Sequence, residues 1–250
     1  MASLFAKTTA AAILTAGLQC FAIASTTDQA TASMPTFSIS YTVGNNHVTG
    51  GKAKLKLNKH EDHYRLVLET RPTGVFKLTK KGKIKEVAEL ATLNAPFLSK
   101  AYSYRNFGDE KRSYQLDYDR DTGEATVARN GNTELFSINP DAGDRLSTTL
   151  AVMQRIKENP DFSEFSIEVI DHRGTQTVNF ISHGQETIDT RLGQVVATRV
   201  ERRRSNSSRH TVTWFADLGS EGLPVPVQIE QFKRGKINLR MKIKNFSIIE

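Results

Sequence analysis

The sequence predicts a mainly β protein: a large curved antiparallel sheet, a half-barrel or open barrel, wrapping one central α-helix. Three observations predict it. From Thr36 onward, apolar and polar residues alternate with a period of two, the pattern of strands that bury one face. Turn residues separate the alternating runs, which fits hairpin-linked antiparallel strands and not the continuously apolar strands of parallel α/β sheets. Only one stretch, Asp144–Lys157, carries helical spacing.

The elements follow in order. Phe37, Ile39, Tyr41 and Val43 share a face, with Ser38, Ser40 and Thr42 on the other. Ala53, Leu55 and Leu57 then alternate with Lys52, Lys54 and Lys56, and after the turn N-K-H-E-D, Tyr64, Leu66 and Leu68 oppose Arg65 and Glu69. Further runs are GVFKLTK, KIKEVAELA, FLSKAYSYRNF, RSYQLDYD and EATVARN. Beyond the helix come FSIEVID, TQTVNFIS, ETIDTRL, QVVATRVERRR, HTVTWFA, PVPVQIEQF and KINLRMKIKNFSII. In the last run Ile237, Leu239, Met241 and Ile243 are in phase, but Phe246 and Ile248 are one residue out, which predicts a β-bulge near Asn245. Pro224 and Pro226 confine the start of their run to an edge or a strand entrance. In the helix, Asp144 is the expected N-cap, Leu146, Leu150 and Met153 form the apolar stripe, and Asn159-Pro160 stops it.

The chain has 250 residues, a formal net charge of +7 and one Cys. One Cys excludes an intramolecular disulfide scaffold and a Cys-based zinc fold. With 24% charged and 38% apolar residues the chain lacks the composition of disorder. Residues 1–24 combine Lys7, the apolar stretch AAAILTAGLQCFAIA and the small-x-small site ending at Ala24, which reads as a cleavable signal peptide and places the mature protein in the periplasm. Cys20 is preceded by the bulky polar Gln19 where a lipobox needs a small residue, which argues against lipidation. Residues 25–35 read as a disordered N-terminal segment and 36–250 as one domain. Export removes nucleic acid from the partners despite the basic charge.

A size mismatch carries the functional expectation. About a dozen strands at ~4.8 Å spacing make a sheet on the order of 50 Å wide, whereas a helix over 144–157 is about 21 Å long. Such a sheet must curl, and its apolar face must close on itself, wrap the helix or leave a cavity for an apolar or amphipathic ligand such as a lipid or acyl chain. The candidate contacts for that ligand are Tyr41, Leu55, Leu66, Leu150, Met153, Trp214, Leu239 and Met241. Basic residues cluster around two turns. Arg202, Arg203 and Arg204 at one, with Lys81 and Lys83 at the other, are candidate contacts for an anionic membrane surface or, in the simpler reading, solvated hairpins.

The remaining motifs point to turns. DYDRDTG resembles the start of a calcium loop, but Thr122 stands where Gly is needed and Ala128 where the bidentate Glu belongs, so a hairpin tip at Gly123 is expected. His60 and His63 flank Glu61-Asp62 without the helix or spacing of a zinc-protease motif. No nucleophile is paired with a base, so no catalytic residue, metal or cofactor is expected.

The stretch ETIDTRLGQVVATRV from Glu186, RHTVTWFAD from Arg209 and LPVPVQI from Leu223 resembles the bacterial domain-of-unknown-function 3108 family. Tyr41-x-Val43, the series Gly51, Ala53, Leu55, Leu57 and the D-R-L-S start at Asp144 fit the same family. The resemblance implies an exported protein with an architecture similar to periplasmic lipoprotein carriers, in which a curved sheet wraps helical cover over an apolar cavity. It defines no catalytic residues. Leu192-Gly193 and Trp214 are its most family-like positions, read as a turn and a large inward-facing core residue. The expected function is a non-enzymatic periplasmic binder or carrier. The alternatives are an outer-membrane β-barrel, disfavoured by lysines along the polar faces, and an envelope scaffold that binds another protein through its sheet.

Overall fold

The computed structural model describes residues 34–45, 47–74, 77, 82–93, 97–205, 207–219 and 222–249. The expected signal peptide with Cys20 and Ala24, residues 25–33, most of the run GVFKLTK, and Lys81 lie outside the described residues. Met34, placed by sequence in the N-terminal tail, is buried in the core, so packing begins ahead of Thr36.

Eight strands precede the helix: β1 (Phe37–Gly44), β2 (Thr49–His60), β3 (His63–Pro72), β4 (Ile84–Leu90), β5 (Ser99–Asn106), β6 (Tyr114–Asp119), β7 (Glu124–Arg129) and β8 (Asn132–Ser137). The helix α1 (Thr148–Glu158) leads to β9 (Glu164–Asp171), β10 (Gly174–Thr190), β11 (Gly193–Arg204), β12 (Arg209–Leu218), β13 (Leu223–Lys233) and β14 (Lys236–Ile248). All fourteen form one antiparallel sheet in the order β8-β7-β6-β5-β4-β3-β2-β1-β14-β13-β12-β11-β10-β9. Two meanders therefore run outward from a central seam, β1 against β14, and the connection through α1 joins the two outermost strands.

That connection is short enough only because the sheet curls. Gly143 forms a parallel bridge with Val169 of β9, its N–H donating to the Glu168 carbonyl at 2.9 Å while Ile170 N–H donates to the Gly143 carbonyl at 3.0 Å. The Glu168 carboxylate accepts from the Asn139 backbone N–H and side-chain amide at 2.8 and 2.9 Å. Phe136 of β8 lies against Gly174 of β10, so close that a Cβ there would stand 2.8 Å from its ring. The two edges of the sheet thus meet through the chain that follows β8, and the interior fills around α1, which packs chiefly on β13.

Several sequence expectations take a definite form. The register of β14 against β1 shifts between Ser40 and Tyr41, leaving Lys244 as the extra residue, which is the bulge expected near Asn245. Residues Leu223–Pro226 of β13 pair with β12 but not with β14, whose ladder begins at Gln228, so Pro224 and Pro226 sit where no N–H is needed on that side. The hydroxyl of Tyr41 donates to the Pro226 carbonyl at 2.8 Å, satisfying a backbone acceptor in this unladdered stretch.

Three expectations are corrected. The helix starts at Thr148 rather than Asp144, because the Asp144 carboxylate captures the N–H groups of Leu146 and Ser147 (2.6 and 2.8 Å) and holds 145–147 as a turn; it ends one residue later, at Glu158. The runs TQTVNFIS and ETIDTRL are one strand, β10, broken only by an irregularity between Ser182 and Gln185. β8 is an additional strand, made by a two-residue turn in which Asn130 and Gly131 both take positive φ, as a type I′ hairpin requires.

Replacing Gly174 by Ala should destabilise the fold by about 1–3 kcal/mol, because φ is +97° and the new methyl meets Phe136. Urea unfolding followed by intrinsic fluorescence measures the loss.

Candidate functional site: a charged cavity inside the barrel

Most of the inner face is solid. Tyr41, Leu55, Leu66, Leu150 and Met153 are each at most 2% exposed and belong to one continuous core. They are filling, not the wall of a container. A cavity of about 110 Å³ lies between α1 and strands on both sides of the seam.

Its apolar wall is made by Leu68, Val152, Phe180, Val200, Phe215 and Met241. Strand pairing explains why these residues converge. Val200, Thr213, Ile229 and Met241 are register partners across β11, β12, β13 and β14 and so share a face. The next row, Phe180, Arg202, Thr211 and Gln231, is likewise paired across β10 to β13. Arg202 therefore projects into the interior in phase with Val200. From the other meander, Glu86 arrives by the same logic, paired with Leu68 and Tyr104.

Glu86 and Arg145 form the polar wall with Arg202. The Tyr102 hydroxyl donates to Glu86 at 2.6 Å, and the Arg145 guanidinium lies 4.0 Å from the same carboxylate and over the Tyr104 ring. Glu86 holds the Arg145 pKa above its ordinary value against the burial that opposes it. Behind the pair Tyr114 stacks on Tyr104 and lies tilted against Tyr102, and burial pushes the Tyr114 phenol up to about 12. Arg202 is pulled down to about 10 by burial and then by the positive charge of Arg145 and Arg204. Its Nε is sealed from solvent and makes no hydrogen bond among the described residues.

A second buried carboxylate anchors the frame. Asp144 accepts from Leu146 and Ser147 N–H through Oδ1 and from the Ser99 hydroxyl through Oδ2, which ties the approach to α1 onto β5. Arg120 clamps the same loop, donating to the carbonyls of Ser99, Pro140 and Ala142 at 2.8–3.2 Å. Burial raises the Asp144 pKa in spite of these hydrogen bonds.

The chain matches the model of the family described as "Protein of unknown function (DUF3108)" over residues 36–242. It belongs to the DUF3108 family. No curated protein matches this DUF3108 chain. Among solved structures it is similar to a β-barrel-like protein of domain of unknown function DUF1849 from Brucella abortus, at 8% identity and TM-score 0.54, with 87% of this chain and 99% of that one covered. It also matches a Bacteroides fragilis protein with a YmcC-like fold at 9% identity and TM-score 0.35, covering 86% and 97%. The first likeness supports a barrel-like architecture for the DUF3108 sheet.

Of the sequence-derived ligand contacts, only Met241 lines the cavity. Leu239 is half-buried beside it, paired with Gln231. Trp214 is buried as expected but lies on the opposite face from Thr213 and Phe215, where its indole N–H donates to Glu186 and Arg199 sits over the ring. The inward placement expected of it is therefore corrected by one residue of phase. The arginines expected to face outward at one of the two turns are corrected in part. Arg202 and Arg204 face inward, Arg203 faces out and pairs with Glu201, and Lys83 pairs with Glu69 at 2.7 Å. An open basin of about 540 Å³ does lie between the hairpin tips beside Arg203, Arg204, His210 and Arg234, but Arg204 is already bonded there to Gln176 and Asp171.

Both turn motifs are turns. The Asp119 carboxylate accepts from the N–H groups of Asp121 and Thr122, with Gly123 at φ +70°. His63 pairs with Asp62 and Glu89 at 2.9 and 3.2 Å. Sequence reasoning missed Glu86 and Arg145 and read Arg202 as an outward contact for an anionic surface, although Glu86 stands in phase with Ala88 and Leu90, and Arg202 with Val200.

Asp144→Asn should keep every hydrogen bond, its amide now donating to Ser99, whereas Asp144→Ala should cost about 2–4 kcal/mol. Because the folded pKa is raised, wild-type stability from this group is full below the ordinary value of 3.8 and falls as pH rises from there through the folded pKa. The stability of Asp144→Asn relative to wild type should therefore increase with pH across that window, measured by urea unfolding at stepped pH.

Proposed function

We propose that this protein is a non-enzymatic, exported binding protein that seats a small amphipathic ligand, or the polar end of a larger one, inside its barrel. One observation carries the reading: a volume of about 110 Å³ stays open beside α1 with an apolar wall on one side and charged groups on the other. A cavity lined only by Leu, Val and Phe would be a packing defect. One that also places guanidinium groups and threonine hydroxyls at its rim offers both halves of an amphipath a partner.

The volume falls below the ~300–1,000 Å³ of pockets that enclose drug-sized ligands. It suits a head group with a short apolar stem, and not a whole lipid. Residence in the periplasm rests on the leader pattern of residues 1–24. The outward lysines of β2, Lys52 and Lys54, are exposed and argue against a strand face in contact with hydrocarbon. A binding role in place of catalysis is supported by the cavity's own residues: the described side chains lining it include neither Cys nor His, and its one carboxylate is engaged by Tyr102 and Arg145.

Native mass spectrometry of protein released by osmotic shock from its own host should show a bound small molecule. Val152→Trp, which fills the cavity from α1, should release that species and leave the thermal midpoint within a few degrees of wild type. Absence of the protein from the shock fraction, or a wild-type mass equal to the bare chain, would count against this function.

A further inference from the structure

We propose that Arg202 is an anion receptor and that the ligand of the cavity carries a singly charged oxyanion, a carboxylate or a phosphodiester. The inference rests on the binding reading above and adds the chemical class of the head group. Alternation along β11 turns Arg202 inward between Phe180 and Thr211, its register partners. A guanidinium in such a place normally has a carboxylate opposite it, since an unpaired buried charge is strongly destabilising. Arg202 has none. Among the described residues it makes no hydrogen bond or ion pair, and its Nε is closed off from water.

The neighbouring carboxylates among the described residues are engaged by other partners. Glu86 is held by the Tyr102 hydroxyl at 2.6 Å and by Arg145 at 4.0 Å. Asp171, the carboxylate beside the next inward arginine, accepts from Arg173 at 2.8 Å, Gln176 at 2.9 Å and Arg204 at 3.5 Å. Arg145 and Arg204 repel Arg202, and the attraction of Glu86 is the weaker influence. With Glu86 negative and Arg145 and Arg202 positive, the cavity wall carries one uncompensated positive charge, and a monoanion would neutralise it. The fork of donors on a guanidinium matches two oxygens of one carboxylate or phosphate. Thr211, Thr213 and Gln231 border the same space and make no side-chain hydrogen bond among the described residues, so they can complete the coordination of an oxyanion.

The test is calorimetric titration of the full purified chain, stripped of bound material, with decanoate, with a single-chain decyl phosphodiester and with neutral decanol. Wild type should bind at least one of the two anions ten-fold or more tightly than decanol, and the tighter of the two identifies the source of the oxyanion. Arg202→Met, which keeps length and removes charge, should abolish the preference while retaining decanol binding, and its ligand-free thermal midpoint should equal or exceed that of wild type. Equal affinity of wild type for all three ligands would overturn the anion assignment and leave the binding reading standing. Failure of all three to bind would overturn both. A clear fall in the midpoint of ligand-free Arg202→Met would show that the guanidinium already has a counter-ion in the protein, which also overturns the proposal.

Discussion

Covering the inner face of the sheet is the problem that shapes this molecule. Fourteen strands at ~4.8 Å make a ribbon on the order of 65 Å wide, and the eleven-residue α1 spans about 16 Å. The helix hides only a fraction of that face, so the sheet must hide the rest from itself by curling. Curling brings the edge beyond β8 to β9, and the chain uses the encounter: Gly143 bridges to Val169, Asn139 is held by Glu168, and Phe136 settles on Gly174. The same encounter shortens the path between the two meanders enough for a single turn and helix to cross it. Asp144 and Arg120 then fix the crossing, so the position of α1 follows from the closure of the sheet.

Closure of a curved sheet over one short helix leaves a remainder, and its composition is informative. Elsewhere the remainder is filled by large side chains such as Tyr41, Tyr102, Met153 and Leu223. Near the Phe180-to-Gln231 row it is bordered by Arg145, Arg202 and Glu86. Apolar residues at these positions would give a denser and more stable interior, since buried ion pairs seldom outperform well-packed hydrophobic substitutes. Their presence on the inner face is a local conflict with the binary pattern of the strands, and such conflicts concentrate at functional sites.

Strand identity was readable from the sequence wherever one face is buried and the other wet, because a period of two is then written directly into polarity. The bulge at Lys244 was readable for the same reason, as a change of phase. β8 was not, because Asn132–Leu135 are exposed on both faces and no apolar stripe records the strand. The start of α1 was misplaced because a carboxylate that caps a helix and one that holds a preceding turn look alike in sequence. The site was hidden by adjacency: Arg202, Arg203 and Arg204 read as one charged run, yet alternation sends the first and third inward and the second out. Glu86 was passed over because a single Glu in an alternating strand does not reveal which stripe it joins until the register with Leu68 and Tyr104 is known. Trp214 failed in the complementary sense, since a large aromatic suggests the interior while its phase with Val212 assigns it to the other face.

The position of the seam bears on how the molecule is made. β14 follows every other strand in the chain, yet it occupies the middle of the sheet, bonded to β1 on one side and β13 on the other. As a nascent or translocating chain emerges from its N-terminus, β1 waits with an open edge for a partner roughly 200 residues away, and β13 joins it with another. Both are sticky templates until β14 is delivered. A chain interrupted after β13 would hold two nearly complete half-sheets with complementary unsealed borders, poised to pair with other copies of themselves. Delivery of β14 is thus the event that joins the two meanders into one sheet.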